Sequence, residues 1–195
     1  MSEYRFTDKV RAGDIIHVTQ LRNGLPDRRW WGGCAALIQF WLGDGCHDGI
    51  WVIAPDCTGI GDTIPHRARI TPKEDYERRM SNGEITVQVF RPKGAMEYDG
   101  DCAGNYWRTH QLGEIYNYPA YLLLPFKVFS DKLQWHIDLP WEWCTEAVMW
   151  SWKEGADMDV YHNRKPTPWT TIKRYHDGEL VYVKDAIERL AVPAL

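Results

Sequence analysis

The sequence predicts a single α+β domain, and three observations predict it. Residues 84–90 alternate apolar and polar side chains, the pattern of a half-buried strand. Residues 47–54 form a near-continuous apolar run closed by Pro55, the pattern of a strand covered on both faces. Residues 138–153 carry apolar positions at helical spacing, and strands and helices follow one another with no internal repeat and no linker. The 195 residues, 44% hydrophobic, are enough for one domain with a real core.

The elements follow in order. Residues 12–18 read as a short strand entered through a Gly13-Asp14 turn, and residues 22–27, with Asn23-Gly24 and Pro26, as a loop. Residues 34–42 read as a short buried helix stopped by Gly43-Asp44-Gly45. After the apolar strand, residues 62–70 hold one or two more strands. Thr71 then caps a helix, with Pro72 in its first position and acids in its first turn. The alternating strand at 84–90 ends at Arg91-Pro92-Lys93-Gly94. Residues 95–104 are polar and glycine-rich. Within them, Asp99-Gly100-Asp101 has a trace of a calcium loop but lacks the distal glutamate, so a polar turn is the expectation. Shorter helical patterns cover residues 105–112 and 118–129, and Gly155 caps the helix of residues 138–153. The tail is expected to hold a hairpin around Asp177-Gly178 and a short helix over residues 185–190.

Composition excludes several functions. A net charge of −4, with Arg28-Arg29 and Arg78-Arg79 scattered among acids, gives no basic surface for nucleic acid. The N-terminal residues lack a signal-peptide core, and no apolar run is long enough to span a bilayer. The expectation is a soluble chain made in the cytoplasm, with a virion location or export by another route left open. Five widely spaced cysteines without a CxxC argue against a disulfide framework or a zinc site, so no metal and no cofactor is expected. His162 and His176 lack metal-ligand spacing and read as surface residues. The eleven tryptophans are expected in the core or in the walls of a cleft.

The chemistry centres on Cys144. Pro140 and Glu142 precede it, and Ala147, Val148, Trp150 and Trp152 follow at helical spacing. This places a thiol in the first turn of a buried helix, where the partial positive charge favours the thiolate. A buried cysteine is more often a small hydrophobe than a nucleophile, and Cys34 also begins a helix, though within an apolar run. What lifts Cys144 above the other four is a candidate base. His47 opens the buried strand, and a strand is a rigid mount for a residue that must hold its position. Cys46 adjoins His47, so the two point to opposite faces. Asp62 or His66, on an adjacent strand, would orient the imidazole. Asp62 is preferred because a carboxylate also stabilises the imidazolium. His17, within an apolar strand, reads as a core histidine with its hydrogen bonds satisfied.

Four short motifs carry a resemblance. Gly13-Asp14-Ile15-Ile16 resembles the opening of the permuted NlpC/P60 papain-like enzymes. Cys46-His47-Asp48-Gly49-Ile50-Trp51-Val52 is similar to their histidine strand. The helix and strand begun by Thr71-Pro72 and by Ile85-Thr86-Val87 resemble their next pair. Trp143-Cys144-Thr145-Glu146-Ala147-Val148 resembles their nucleophile helix. The histidine precedes the cysteine, which is the permuted order, and the match runs over residues 12–155 with 156–195 as an extension. Two departures stand out. Asp48 replaces an apolar residue after the histidine, and residues 95–104 have no counterpart.

The resemblance implies a papain-like fold in circularly permuted order, with an antiparallel sheet or small barrel packed on the nucleophile helix. It implies a thiol hydrolase or acyltransferase acting on an amide or ester, with Cys144, His47 and Asp62 or His66 at work. Cell-wall peptides and fatty-acyl lipids are the implied substrate classes. The rival expectation is a non-catalytic binding or structural module of a phage virion or an effector that keeps the fold without the chemistry.

Overall fold

The chain enters its fold through β1 (Ser2–Phe6) and then turns at Gly13, whose φ of +82° no side chain adopts readily, into β2 (Ile15–Arg22). A computed structural model describes residues 2–22, 25–26, 46–64, 67–114, 144–162, 166 and 168–191. Next come β3 (Leu25–Pro26), β4 (Cys46–Ile53), β5 (Thr58–Ile64) and β6 (Arg67–Pro72). Helix α1 (Lys73–Ser81) leads to β7 (Ile85–Pro92). Helix α2 (Glu97–Tyr106) runs on into a π-helical turn, Trp107–Gln111. Helix α3 (Cys144–Ala156), helix α4 (Pro168–His176), β8 (Leu180–Tyr182) and β9 (Ile187–Ala191) complete the described chain.

The main sheet has the order β6-β5-β4-β2-β7-β8, with β3 paired to β2, and every described pairing in it is antiparallel. β1 and β9 form a separate antiparallel pair. Alternation along β4 explains its apolar run. Ile50 and Val52 face a core shared with Ile15, Phe90, Trp107 and the α3 residues Ala147, Val148 and Trp152. Trp51 faces a second core with Phe6, Ile16, Val18, Ile60, Tyr76 and Met80. Both faces of the strand are therefore covered.

The Gly13-Asp14 motif works as a fastener between layers. Asp14, buried, receives two hydrogen bonds of 2.7 Å from the Arg91 guanidinium at the end of β7 and one of 2.9 Å from the Arg11 amide. Burial is the largest influence on its carboxyl and raises the pKa, although Arg91 pulls the other way. The Gly13 carbonyl accepts the indole N–H of Trp152 on α3 at 3.0 Å. Gly13-Asp14 thus joins the end of β7 to α3.

Several sequence expectations are corrected. Residues 95–104 hold no polar turn or calcium loop, because most of them lie in α2. Their glycines serve close packing: a Cβ on Gly100 would lie 2.2 Å from the Ala12 carbonyl oxygen. Gly155 does not cap α3, which runs on to Ala156 and turns at Asp157 with φ of 53°. Gly155 instead lies against α2, where a Cβ would meet Tyr106 Cβ at 2.7 Å. Thr71 lies within β6 rather than capping α1, and Pro72 holds the cap position. Residues 187–191 pair with β1 as a strand instead of forming a helix. β8 follows the Asp177-Gly178 turn but pairs with β7, so the tail has no hairpin there. The expected helices at residues 34–42 and 118–129, and the start of the cysteine helix at 138–143, fall outside the described residues.

Candidate functional site

The site forms where two strands part. The ladder between β4 and β5 runs from Ile50–Gly61 to Ile53–Thr58. Before Ile50, β4 stays paired with β2 back to Cys46, and after Gly61, β5 stays paired with β6 as far as Ile64. His47 and Asp62 therefore sit on strands that have separated, and their side chains bridge the gap. The His47 Nε2–H donates to Asp62 Oδ1 at 2.9 Å. Gly49 leaves room for this contact, since a Cβ there would lie 3.0 Å from the same oxygen.

Tyr76 of α1 completes the support of Asp62. Its hydroxyl lies 2.7 Å from both carboxylate oxygens and shares its one proton between them. Burial first, and then the Asp62 charge, pushes the Tyr76 phenol well above its ordinary pKa, so it stays a donor. Sequence reasoning did not single out Tyr76. The available signal was its spacing of four from Met80, which puts both on the buried face of α1.

Cys144 is the first described residue of α3, and its side chain lies close enough to His47 to influence the charge of the ring. With Nε2 engaged by Asp62, Nδ1 is the ring nitrogen left to serve the thiol. Burial is the largest influence on the His47 ring and lowers its pKa. The charge of Cys144 and the contacts with Asp62 outweigh it and raise the pKa from 6.5 to about 10. An imidazolium held between a carboxylate and a sulfur is the result. All three side chains are shielded from solvent, with Cys144 only 2% exposed.

A second polar cluster lies beside the first. His17 on β2 and Asp48 on β4 are register partners, and the His17 Nδ1–H donates to Asp48 Oδ1 at 2.7 Å. Asp48 Oδ2 accepts the hydroxyls of Thr145 at 2.9 Å and Thr171 at 2.7 Å. Tyr161 lies 3.0 Å from Thr171. His17 is thus a core histidine with a satisfied donor. The sequence signal for the pair was a charge within an apolar strand, which requires a buried partner.

The structure brings Cys144, His47 and Asp62 together. His66 and Cys34 lie outside the described residues. Cys57 and Cys102 are free, partly exposed thiols. His162 is exposed and bound to Glu179 at 2.7 Å, on the surface as expected. Among the described residues, no helix is long and apolar enough to cross a membrane.

Comparison with known proteins identifies the fold. No family model matches the chain, and no curated protein matches it. A solved structure does: the metalloprotein YiiX from Escherichia coli O157:H7, with a TM-score of 0.50 and 16% identity over 94% of this chain and 97% of that one. The chain has the α+β fold of YiiX over nearly its full length, in agreement with the permuted NlpC/P60-like architecture that the motifs imply. The metal belongs to the description of YiiX. Among the described residues of this chain, no three His, Cys, Asp or Glu side chains are grouped to hold one. Asp62 and Asp48 are moreover already engaged by hydrogen-bond donors.

Proposed function

We propose that the chain is a thiol hydrolase or acyltransferase acting on an amide or ester. The observation that carries this reading is the single imidazole of His47, held by Asp62 on Nε2 and facing the thiol of a helix's first residue. Cys144 Sγ attacks the substrate carbonyl after its proton has passed to His47 Nδ1. The tetrahedral intermediate forms with its oxyanion near the amides at the start of α3, that of Cys144 among them. His47 returns its proton to the leaving amine or alcohol as the C–N or C–O bond breaks. Water or an acceptor, activated by the same ring, then releases the acyl group from sulfur. Asp62 holds the ring in orientation and stabilises its charge, and Tyr76 holds Asp62.

Two substrate classes suit this chemistry, peptide amides of bacterial cell walls and fatty-acyl amides or esters of lipids. Incubation with peptidoglycan fragments and with lipid esters, followed by mass spectrometry, separates them. Wild-type protein is expected to release product from one class, and Cys144→Ala from neither. Product release by Cys144→Ala at the wild-type rate would remove the thiol from the mechanism.

The burial of Cys144 favours one rival, a binding or structural module that keeps the fold without turnover. Site-resolved alkylation decides between them. The enzyme is expected to alkylate at Cys144 with a pH dependence that His47→Ala abolishes. The module is expected to show a thiol indifferent to His47.

A further inference from the structure

The Asp48 cluster has no part in the chemistry above, yet it contacts the residue next to the nucleophile. Resting on the proposed thiol chemistry, we propose that Asp48 and His17 form a positioning pair for Cys144. They anchor Thr145, and so fix the first turn of α3 from which the thiol is presented to His47.

Proton accounting gives the cluster a direction. The Asp48 carboxylate accepts from His17 Nδ1, Thr145 Oγ1 and Thr171 Oγ1. Each threonine has one hydroxyl proton, and both are given to Asp48. Tyr161 must therefore donate to Thr171 at 3.0 Å. Thr145 Oγ1 also lies 3.8 Å from Cys144 Sγ. Its proton is committed to Asp48 at 2.9 Å, so only a lone pair faces the sulfur. A thiolate at Cys144 then finds no donor in its neighbouring hydroxyl, and its partner has to be the His47 imidazolium. The carboxylate enforces the catalytic pairing by occupying the competing donor.

The pair also spans elements that sequence leaves far apart. His17 comes from β2, Asp48 from β4, Thr145 from α3 and Thr171 from α4. One carboxylate thus fixes α3 against the two central strands and against α4. An apolar pair at positions 17 and 48 would fill the same space without burying a charge. It would leave the threonine hydroxyl free to rotate toward the sulfur. This accounts for Asp48 standing where the resembling enzymes carry an apolar residue: its strand partner is His17, and its reach is to Thr145.

The test is the pH profile of Cys144 alkylation by iodoacetamide, read on the Cys144 peptide by mass spectrometry. Folding of each variant is checked by circular dichroism and thermal melting. Thr145→Val is nearly isosteric and removes only the anchor. It is expected to lower the plateau rate about tenfold, because a thiol displaced by a fraction of an ångström loses its alignment. Thr145→Ser restores the hydroxyl and is expected to recover most of that loss. Asp48→Asn removes the charge behind Thr145, and its amide, with one acceptor oxygen in place of two, cannot hold His17, Thr145 and Thr171 together as the carboxylate does. Its profile is expected to move to lower pH by about one unit, which a purely structural role would not produce in a folded protein. His47→Ala is the control for the underlying reading. If it leaves the profile unchanged, the thiol chemistry fails and this inference with it. If His47→Ala changes the profile while folded Thr145→Val and Asp48→Asn match wild type, the positioning role alone is overturned. Should Asp48→Asn fail to fold, the contrast between Thr145→Val and Thr145→Ser decides.

Discussion

Asp62→Asn isolates the charge of the carboxylate from its geometry, because the asparagine oxygen can still accept the His47 Nε2–H at the observed 2.9 Å. At an effective dielectric of about 20, two unit charges about 4 Å apart attract by about 4 kcal/mol. One pKa unit corresponds to about 1.4 kcal/mol, so Asp62 alone could raise the ring by at most about 3 units. The ring rises from 6.5 to about 10, against burial and with Cys144 sharing the work. Asp62→Asn is therefore expected to move the His47 titration below about 10, by no more than that ceiling. In Cys144→Ala with Asp62→Asn, burial is the dominant influence left, and the ring is expected to titrate below its ordinary value. The assay is an NMR titration of histidine-labelled protein, with the His47 resonance assigned from His47→Gln. A His47 resonance in Asp62→Asn that still titrates near the wild-type value would refute the role given to Asp62. Stability carries the same sign. A histidine whose folded pKa is raised stabilises the fold fully below its unfolded value of 6.5, and the contribution is lost as pH rises through about 10. The stability gap between wild type and His47→Gln is therefore expected to be widest below pH 6.5 and to close above pH 10.

Three further substitutions test the supports around the site. Tyr76→Phe deprives the buried Asp62 of the hydroxyl that touches both its oxygens and is expected to cost about 1–3 kcal/mol in urea unfolding. A loss under about 0.5 kcal/mol would show that the carboxylate is held without it. Arg91→Ala strands the Asp14 carboxylate beneath the sheet and is expected to cost about 3 kcal/mol, at the low end for a buried pair because Arg91 is partly exposed. An unchanged thermal midpoint would contradict the fastening role of the Gly13-Asp14 motif. Gly100→Ala places a methyl group 2.2 Å from the Ala12 oxygen, which side-chain rotation cannot relieve. It is expected to cost about 2 kcal/mol or more by forcing α2 off the start of β2, and a variant as stable as wild type would mean that α2 shifts freely.

What the sequence disclosed followed from local physics. The run from His47 to Ile53 is apolar because β4 is covered on both faces, so it was legible as a buried strand. Cys144 was legible because a helix start is written in its own neighbours. Asp62 was named through its strand relation to His47, although the contact depends on β4 and β5 separating beyond the Ile50–Gly61 pair. Residues 95–104 were misread because glycine was taken at its intrinsic value, as a loop former. In α2 the glycines are selected by contact with the backbone at Ala12 and Gly13, which local sequence does not contain. Residues 187–191 were misread for a similar reason: pairing with β1, far away in the chain, decides that they form a strand.

The Asp48 cluster shows the same limit at the site itself. Judged by its neighbours, Asp48 is an anomaly, an acid beside the presumed base in an apolar strand. Judged with its register partner, it is half of a pair, because His17 stands opposite it on β2. A buried charge that has lost its water must find donors, and here it finds three, one of them on the residue after Cys144. The two histidines of the central strands thus divide the work according to the carboxylate each one meets. His47 meets Asp62, with its other nitrogen toward the sulfur. His17 meets Asp48, which reaches the sulfur only through Thr145. Exchanging the residue types at positions 47 and 48 would keep the composition of β4 and reverse both faces. That alternation is why a short apolar strand can carry a histidine and a carboxylate side by side, each with its own buried partner.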